Sequence, residues 1–240
     1  AVSDAITAAG YEVKGEIIAA FQQFTETHKE ASGTFIANES IKGLGLIDAL
    51  IRKYDVVVCN PPYSGKRNWT ETIQKDLKRL YPQRDGDLYT AFINRCMDLT
   101  VDNDGFCGMV TIHSFMFLSS HEVIRKDIIN NTEIESMVHL GTRTEFDVAN
   151  KTAQGFSMYA LGKISKAPNK NISGIYFRLT KENEEEKHVA FCNAIIDYQK
   201  NNDAFSDSHI FVVQQNKLKD IPWYPFVYWI SDSIRKVFNF

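Results

Sequence analysis

The spacing of apolar positions changes several times along the chain, and each change predicts an element. Ile17, Ile18, Phe21 and Phe24 recur near three-to-four spacing and predict a helix over 14–28, after a shorter one over 2–9. "GTFIAN" (33–38) reads as a short strand. Leu46, Ile47, Leu50 and Ile51 give an amphipathic helix over 45–53. "YDVVVC" (54–59) is an unbroken β-branched run, the pattern of a strand buried on both faces. Residues 64–86 keep no period and predict a long loop, or a loop with a short helix. Helical spacing returns over 87–100, with Leu88, Ala91, Phe92, Cys96 and Leu99 on one side. The turn cluster "VDNDG" comes next, then a second buried strand, "FCGMVTIH" (106–113). A helix at about 119–130 and strands at 134–141, 155–163 and 173–179 continue the pattern. Residues 181–200 begin highly charged and become an amphipathic helix, 209–218 read as a strand, and the last twenty residues carry an apolar helical pattern.

Strands alternating with helices predict an α/β fold around a mostly parallel sheet. No helix fits between 134–141 and 155–163, so an antiparallel edge is expected there. The 240 residues suffice for one large domain, or one domain and an appendage. No internal repeat or low-complexity tract interrupts them. The chain begins with Ala1 inside a helix-like pattern, which predicts a segment of a longer protein.

Composition narrows the class without deciding it. Hydrophobic residues make up 44% and charged residues 24%, an ordinary globular mix. The apolar runs are too short to cross a bilayer, and no charged start followed by an apolar stretch marks a secretory signal. Cys59, Cys96, Cys107 and Cys192 have no close C-x-x-C spacing and read as reduced thiols of a cytoplasmic protein. The six histidines form no H-x-x-x-H pair, so no metal site is expected. A net charge of −3 makes the whole chain no magnet for nucleic acid, although local patches can do that work.

The candidate chemistry lies where "VVVC" runs into Asn60-Pro61-Pro62-Tyr63. Open α/β sheets bind ligands at the carboxyl ends of their strands. Two prolines fix φ and remove two N–H groups, which stiffens the tip. Asn60 can accept and donate, and Tyr63 offers a flat face. Together they suit a planar ligand with an exocyclic amino group, with Asn60 Oδ1 and the Pro61 carbonyl accepting from the NH₂. The plainer reading is a Pro-Pro turn after a strand.

"VVVCNPPY" resembles motif IV of the amino-directed, S-adenosylmethionine-dependent methyltransferases, chiefly the adenine-N6 DNA enzymes. The helix and strand over "GDLYTAFINRCMDLTVDNDGFCGMVTIHSFMF" resemble the same family. "IYFRLTKENEEEK" and "FVVQQNKLKDIPWYPFVYWISDSIRKVF" are similar to segments of the large methyltransferases of BREX phage defence, and the match spans about residues 45–240. The resemblance implies a catalytic tip of Asn60, Pro61, Pro62 and Tyr63 acting on an adenine flipped out of double-stranded DNA, with S-adenosylmethionine as donor. Positioning and charge placement then supply most of the rate, so no nucleophilic side chain is needed. Phe146 is the candidate for the other face of the base, against a place in the core. The resemblance also implies a role in phage defence or restriction-modification, with other defence proteins as partners.

Departures from the family matter as much. No G-x-G loop following a strand precedes residue 54, and "GLG" (43–45), after "NESIK", reads as a helix-entry turn. Residues 1–180 are therefore expected to form part of a catalytic domain with an incomplete donor pocket. Residues 181–240 would form an α/β extension leading to a target-recognition domain outside the sequence, and the isolated segment is expected to be inactive. Asp87 and Tyr89 are candidates to touch the cofactor, with helix capping as the competing role of Asp87. Lys66 and Arg67 lead a basic stretch interleaved with Trp69 and Tyr81, read either as a DNA contact or as a solvated face. "KENEEEK" (181–187) reads as a charged helix start or a partner contact. Two other functions stay open: methyl transfer to an RNA or protein-glutamine amide, and a partner-binding segment without catalysis.

Overall fold

The computed structural model describes residues 19–20, 23, 31–84, 86–142, 144, 155–163, 172–201 and 207–238. They divide into two compact units, 1–52 and 53–240. In the first, helix α1 spans Ala31–Ile51. The expected strand at 33–38 and the helix-entry turn at 43–45 both lie inside this helix. An isolated six-residue strand has no neighbour to pair with, whereas helical hydrogen bonds close within the segment itself. Gly43 and Gly45 cost α1 about 1 kcal/mol each relative to alanine. Arg52 closes its end by donating to Asp48 Oδ2 at 2.8 Å. The helix expected over 2–9 lies outside the described residues, as does all of 14–28 except 19, 20 and 23.

The second unit is built on a six-stranded sheet. In chain order it contains β1 (Val56–Cys59), α2 (Glu71–Leu80), α3 (Leu88–Leu99), β2 (Gly105–Ile112), α4 (Glu122–Asn131) and β3 (Thr132–Gly141). After these come β4 (Phe156–Lys163), β5 (Ser173–Arg178), α5 (Glu184–Asn201), β6 (Ile210–Gln214) and the short α6 (Asp232–Lys236). The sheet order is β1-β2-β4-β3-β5-β6. β1, β2, β3 and β5 run in one direction, and β4 and β6 run against them. The sheet is thus mostly parallel with an antiparallel edge, β6. The antiparallel pairing of 134–141 with 155–163 is also present, but β4 inserts between β2 and β3 and so lies inside the sheet, not at its edge.

The two sheet faces differ. One carries Cys107, Met109, Leu161, Ile134 and Met137, which pack against Tyr89, Ile93 and Cys96 of α3 and Ile124, Ile128 and Ile129 of α4. On the other face, Phe177 and Ile210 pack with Ala194 of α5. Toward β1 that second face opens. Val56 is 61% and Val58 78% exposed, with exposed Phe106 opposite Val56 in register, and Met158, opposite Val110, is exposed too. The expectation that "VVVC" is buried on both faces therefore fails. Val57 and Cys59 pack on the core, while alternate residues of an edge strand face outward. β-branched residues favour a strand, but only a second packed layer can bury both of its faces.

Residues 215–238 cross the core end of the sheet and are tied down by buried polar side chains. Gln215 accepts from Ile134 N at 2.8 Å and donates to the Ile129 and Thr132 carbonyls. Arg125 donates to the carbonyls of Phe115, Leu118 and Trp223, and Arg235 to those of Lys217 and Val227. Trp223 and Tyr224 hold left-handed φ values of 67° and 53°, where bulky residues are strained, and Arg125 pins the Trp223 carbonyl. Tyr176 and Tyr228 stack at 4.5 Å. Among the described residues, no helix is long and apolar enough to cross a membrane.

Candidate functional site

The candidate tip stands at the carboxyl end of edge strand β1. Parallel pairing brings Cys59 opposite Met109, so Asn60 emerges beside Val110 of β2. Asn60 is exposed, Pro61 buried, Pro62 exposed and Tyr63 half-buried. The Tyr63 hydroxyl lies 2.6 Å from Asn60 Oδ1 and 2.9 Å from the Val110 carbonyl. Its ring meets Phe156 at 5.4 Å and Tyr89 at 6.3 Å, both edge-on. Burial, and after it the neighbouring Cys59, pushes the hydroxyl pKa up to about 12, so it keeps its proton.

Beyond the tip, the chain is clipped shut. Ser64 N donates to Asp87 Oδ1 at 3.1 Å, Leu88 N to the Ser64 carbonyl at 3.1 Å, and Lys66 N to the Gly86 carbonyl at 3.3 Å. Gly65 and Asp87 form an isolated antiparallel bridge. The intervening stretch contains a tight turn, Lys66–Asn68, and α2, whose N-cap Thr70 accepts from Ile73 N. Asp87 also caps α3 by accepting from Tyr89 N at 3.4 Å. Burial raises its carboxyl above the usual range, and the N–H groups of Tyr89, Ser64 and Leu88 pull it partly back. Asp87 is thus engaged as a cap and a clip. Tyr89 is 1% exposed, with its hydroxyl 2.9 Å from Ser114 Oγ, which makes it a core residue first.

Lys66 and Arg67 lie exposed on the turn directly after the tip. The aromatic partners expected in this stretch are placed differently. Trp69 is 8% exposed and donates from Nε1 to the Ser64 carbonyl at 3.0 Å, so it supports the loop from below and cannot stack on a base. Arg79 pairs with Asp76, and Arg84 with Asp127. Phe146 lies outside the described residues.

Two hollows lie nearby, one lined in part by Asn60 and the other by Tyr89, whose ring meets that of Tyr63. One, of about 500 Å³, runs along the open sheet face past Val58, Asn60 and Met158. The other, of about 430 Å³, is lined by Asp87, Tyr89, His113, Ser114, His121 and Gly155 among others. The second contains groups that sequence reasoning missed. His113 Nδ1 lies 2.7 Å from His139 Nε2, and His139 Nδ1 lies 3.2 Å from the Tyr228 hydroxyl. Burial lowers the pKa of His113 and takes that of His139, with help from the charges of His113, Arg178 and Lys187, down to about 3, so His139 is neutral near pH 7. A methyl group on Gly155 would collide with the His113 ring, so only glycine leaves room for it. Histidines 26 residues apart give no motif, and only the strand order brings them together.

The α/β arrangement, with a mostly parallel six-stranded sheet, is the fold of S-adenosylmethionine-dependent methyltransferases. The methyltransferase subunit of a type I restriction-modification system from Streptococcus thermophilus shares it, with a TM-score of 0.53 and 17% identity, covering 75% of this chain and 38% of that one. A chain from a type I R-M system assembly aligns with a TM-score of 0.52 at 17% identity, covering 79% and 39%. In sequence, the Eco57I restriction-modification methylase family matches residues 11–146, more than half of the chain. The chain belongs to that family. It is also 30% identical over 184 residues to the adenine-specific methyltransferase PglX of Lacticaseibacillus casei (strain Zhang), covering 76% of this chain. It is 30% identical over 186 residues, again 76% of this chain, to the adenine-specific methyltransferase BrxX of Escherichia coli O9:H4 (strain HS). The chain spans 14% of the length of each of these two relatives.

Proposed function

We propose that the chain carries the acceptor side of a DNA adenine-N6 methyltransferase site, in a protein of phage defence or restriction-modification. The observation that carries this reading is the exposed Asn60 at the end of β1, beside the half-buried ring of Tyr63. The family match and the adenine-specific relatives support the choice of adenine. Asn60 Oδ1 and the Pro61 carbonyl accept the two hydrogens of the N6 amino group, which orients the nitrogen lone pair toward the donor. The exposed part of the Tyr63 ring stacks on the base after it leaves the duplex. S-adenosylmethionine supplies the electrophilic methyl group when bound. Transfer would break the donor's sulfonium C–S bond, release the neutral thioether and place positive charge on N6, which the two acceptor oxygens would stabilise until one N–H proton passes to water. Lys66 and Arg67 contact the phosphate backbone near the flipped base.

The fit to the donor is partial. Asp87 spends one oxygen on two backbone N–H groups, and Tyr89 is buried. Among the described residues no glycine-rich loop follows a strand. No residue is therefore assigned to holding the donor.

The test is Asn60→Ala in the full-length protein that carries this chain, expressed in a host whose genomic DNA is read for N6-methyladenine. Loss of a chemically positioned acceptor predicts at least a roughly hundredfold fall in methylation. The thermal midpoint should hold, because Asn60 is exposed. Undiminished N6-methyladenine in the variant host would sink the reading.

A further inference from the structure

Asn60 and Tyr63 raise a problem of hydrogen count. The Tyr63 hydroxyl faces two oxygens, Asn60 Oδ1 at 2.6 Å and the Val110 carbonyl at 2.9 Å. It owns a single hydrogen and cannot donate to both. The Val110 carbonyl is an acceptor in every state. The Asn60 side chain has an alternative: a half-turn about its terminal bond exchanges Oδ1 for Nδ2 with almost no change of shape. The hydroxyl then donates to Val110, Nδ2–H donates to the hydroxyl oxygen, and all three groups are satisfied. Two restraints keep this pattern from being scrambled. The hydroxyl does not ionise in the working range, and edge contacts with Phe156 and Tyr89 hold the ring in place.

We propose that Tyr63 is a positioning residue: anchored on the Val110 carbonyl, its hydroxyl holds the Asn60 amide with Nδ2 inward and Oδ1 outward. This rests on the reading of Asn60 as the amino-group acceptor. With Oδ1 turned inward, Asn60 would offer N–H donors to an amino group that also brings hydrogens, and the tip would repel its substrate. With Oδ1 outward, it offers an acceptor. The stacking role of Tyr63 needs only the ring; this second role needs the hydroxyl, so the two can be separated by removing one oxygen atom.

The direct test reads the amide and not the reaction. In the ¹⁵N-labelled chain, the side-chain amide of Asn60 is assigned by its loss in Asn60→Ala, and its hydrogen exchange with water is followed by NMR. The bonded Nδ2–H is expected to exchange about tenfold more slowly than that of exposed Asn68, as one net hydrogen bond allows. Tyr63→Phe should erase the difference while leaving the β2 backbone amides unchanged. Exchange of Asn60 at the Asn68 rate in the unaltered chain would overturn the proposal. In the full-length protein, Tyr63→Phe should lower kcat for DNA methylation about tenfold with KM for DNA held, whereas Tyr63→Leu should also raise KM. An unchanged kcat in Tyr63→Phe would overturn the proposal too. If instead the exchange result holds and Asn60→Ala still methylates, the amide orientation stands and the methyltransferase reading alone falls.

Discussion

At the β3–β5–β6 end of the sheet, several buried polar side chains find partners within the protein, although the Tyr176 hydroxyl and the Nε atoms of Arg178 and Arg235 find none. Gln215 serves three backbone groups, and Arg125 and Arg235 are spent on carbonyls of the segment that crosses over them. At the β1 end, Asn60 is exposed, Val56 and Val58 face outward, and a hollow runs along the sheet beside them. The first end is tied to the segment that packs on it, and the second is open. The difference shows how one sheet can divide labour: one end is tied to its own chain, while exposed groups at a strand end stay open to a ligand, as the proposed role of Asn60 requires.

Substitutions can break this comparison, starting with the largest effect. Arg125→Met strands the carbonyls of Phe115, Leu118 and Trp223 and releases the strained turn at Trp223. Urea unfolding should show a loss of about 3 kcal/mol or more. Gln215→Leu removes the partners of Ile134 N and of two carbonyls at similar volume, and should cost about 2 kcal/mol in the same assay.

Acid should act at the β3–β5–β6 end through His139, whose pKa is depressed from 6.5 to about 3. The unfolded chain then binds the proton more readily than the folded one. The His139 contribution is present in full above about 6.5 and is lost as pH falls from there toward 3. The difference in unfolding midpoint between the unaltered chain and His139→Gln should shrink over that window. A constant difference between pH 7 and 5 would refute the assignment. The smallest effect belongs to the open end. Val58→Thr should change stability by no more than about 0.5 kcal/mol, because the side chain is 78% exposed. A larger loss would mean that this face is covered.

Much of the platform was legible because its signals are local. The turn cluster before β2, the cap at Asp87 and the β-branched run of β1 each depend on neighbours in sequence. The features that could not be read depend on partners far along the chain. "VVVC" predicts a strand but not which neighbour it lacks, and it lies at an edge because nothing pairs on its outer side among the described residues. Residues 155–163 predict an antiparallel strand, yet its insertion between β2 and β3 is a matter of sheet order. "GTFIAN" satisfies a strand pattern locally but is absorbed by a longer helix. Within the site, the Asn-Pro-Pro-Tyr tip was visible as a peptide. The Val110 carbonyl behind Tyr63, the burial of Trp69 and the meeting of His113 with His139 arise only when distant strands align.

The clip between residues 64–66 and 86–88 also bears on how this part of the molecule can vary. The chain leaves the tip, travels through α2 and returns to the same point, where backbone pairing at Gly65 and Asp87 closes the excursion. Closure entropy grows only slowly with length, roughly 0.6 kcal/mol for a doubling. The excursion can therefore lengthen, shorten or change its charge without displacing Asn60 or Tyr63. It is a cassette, whose length and charge can change while the end of β1 keeps its place.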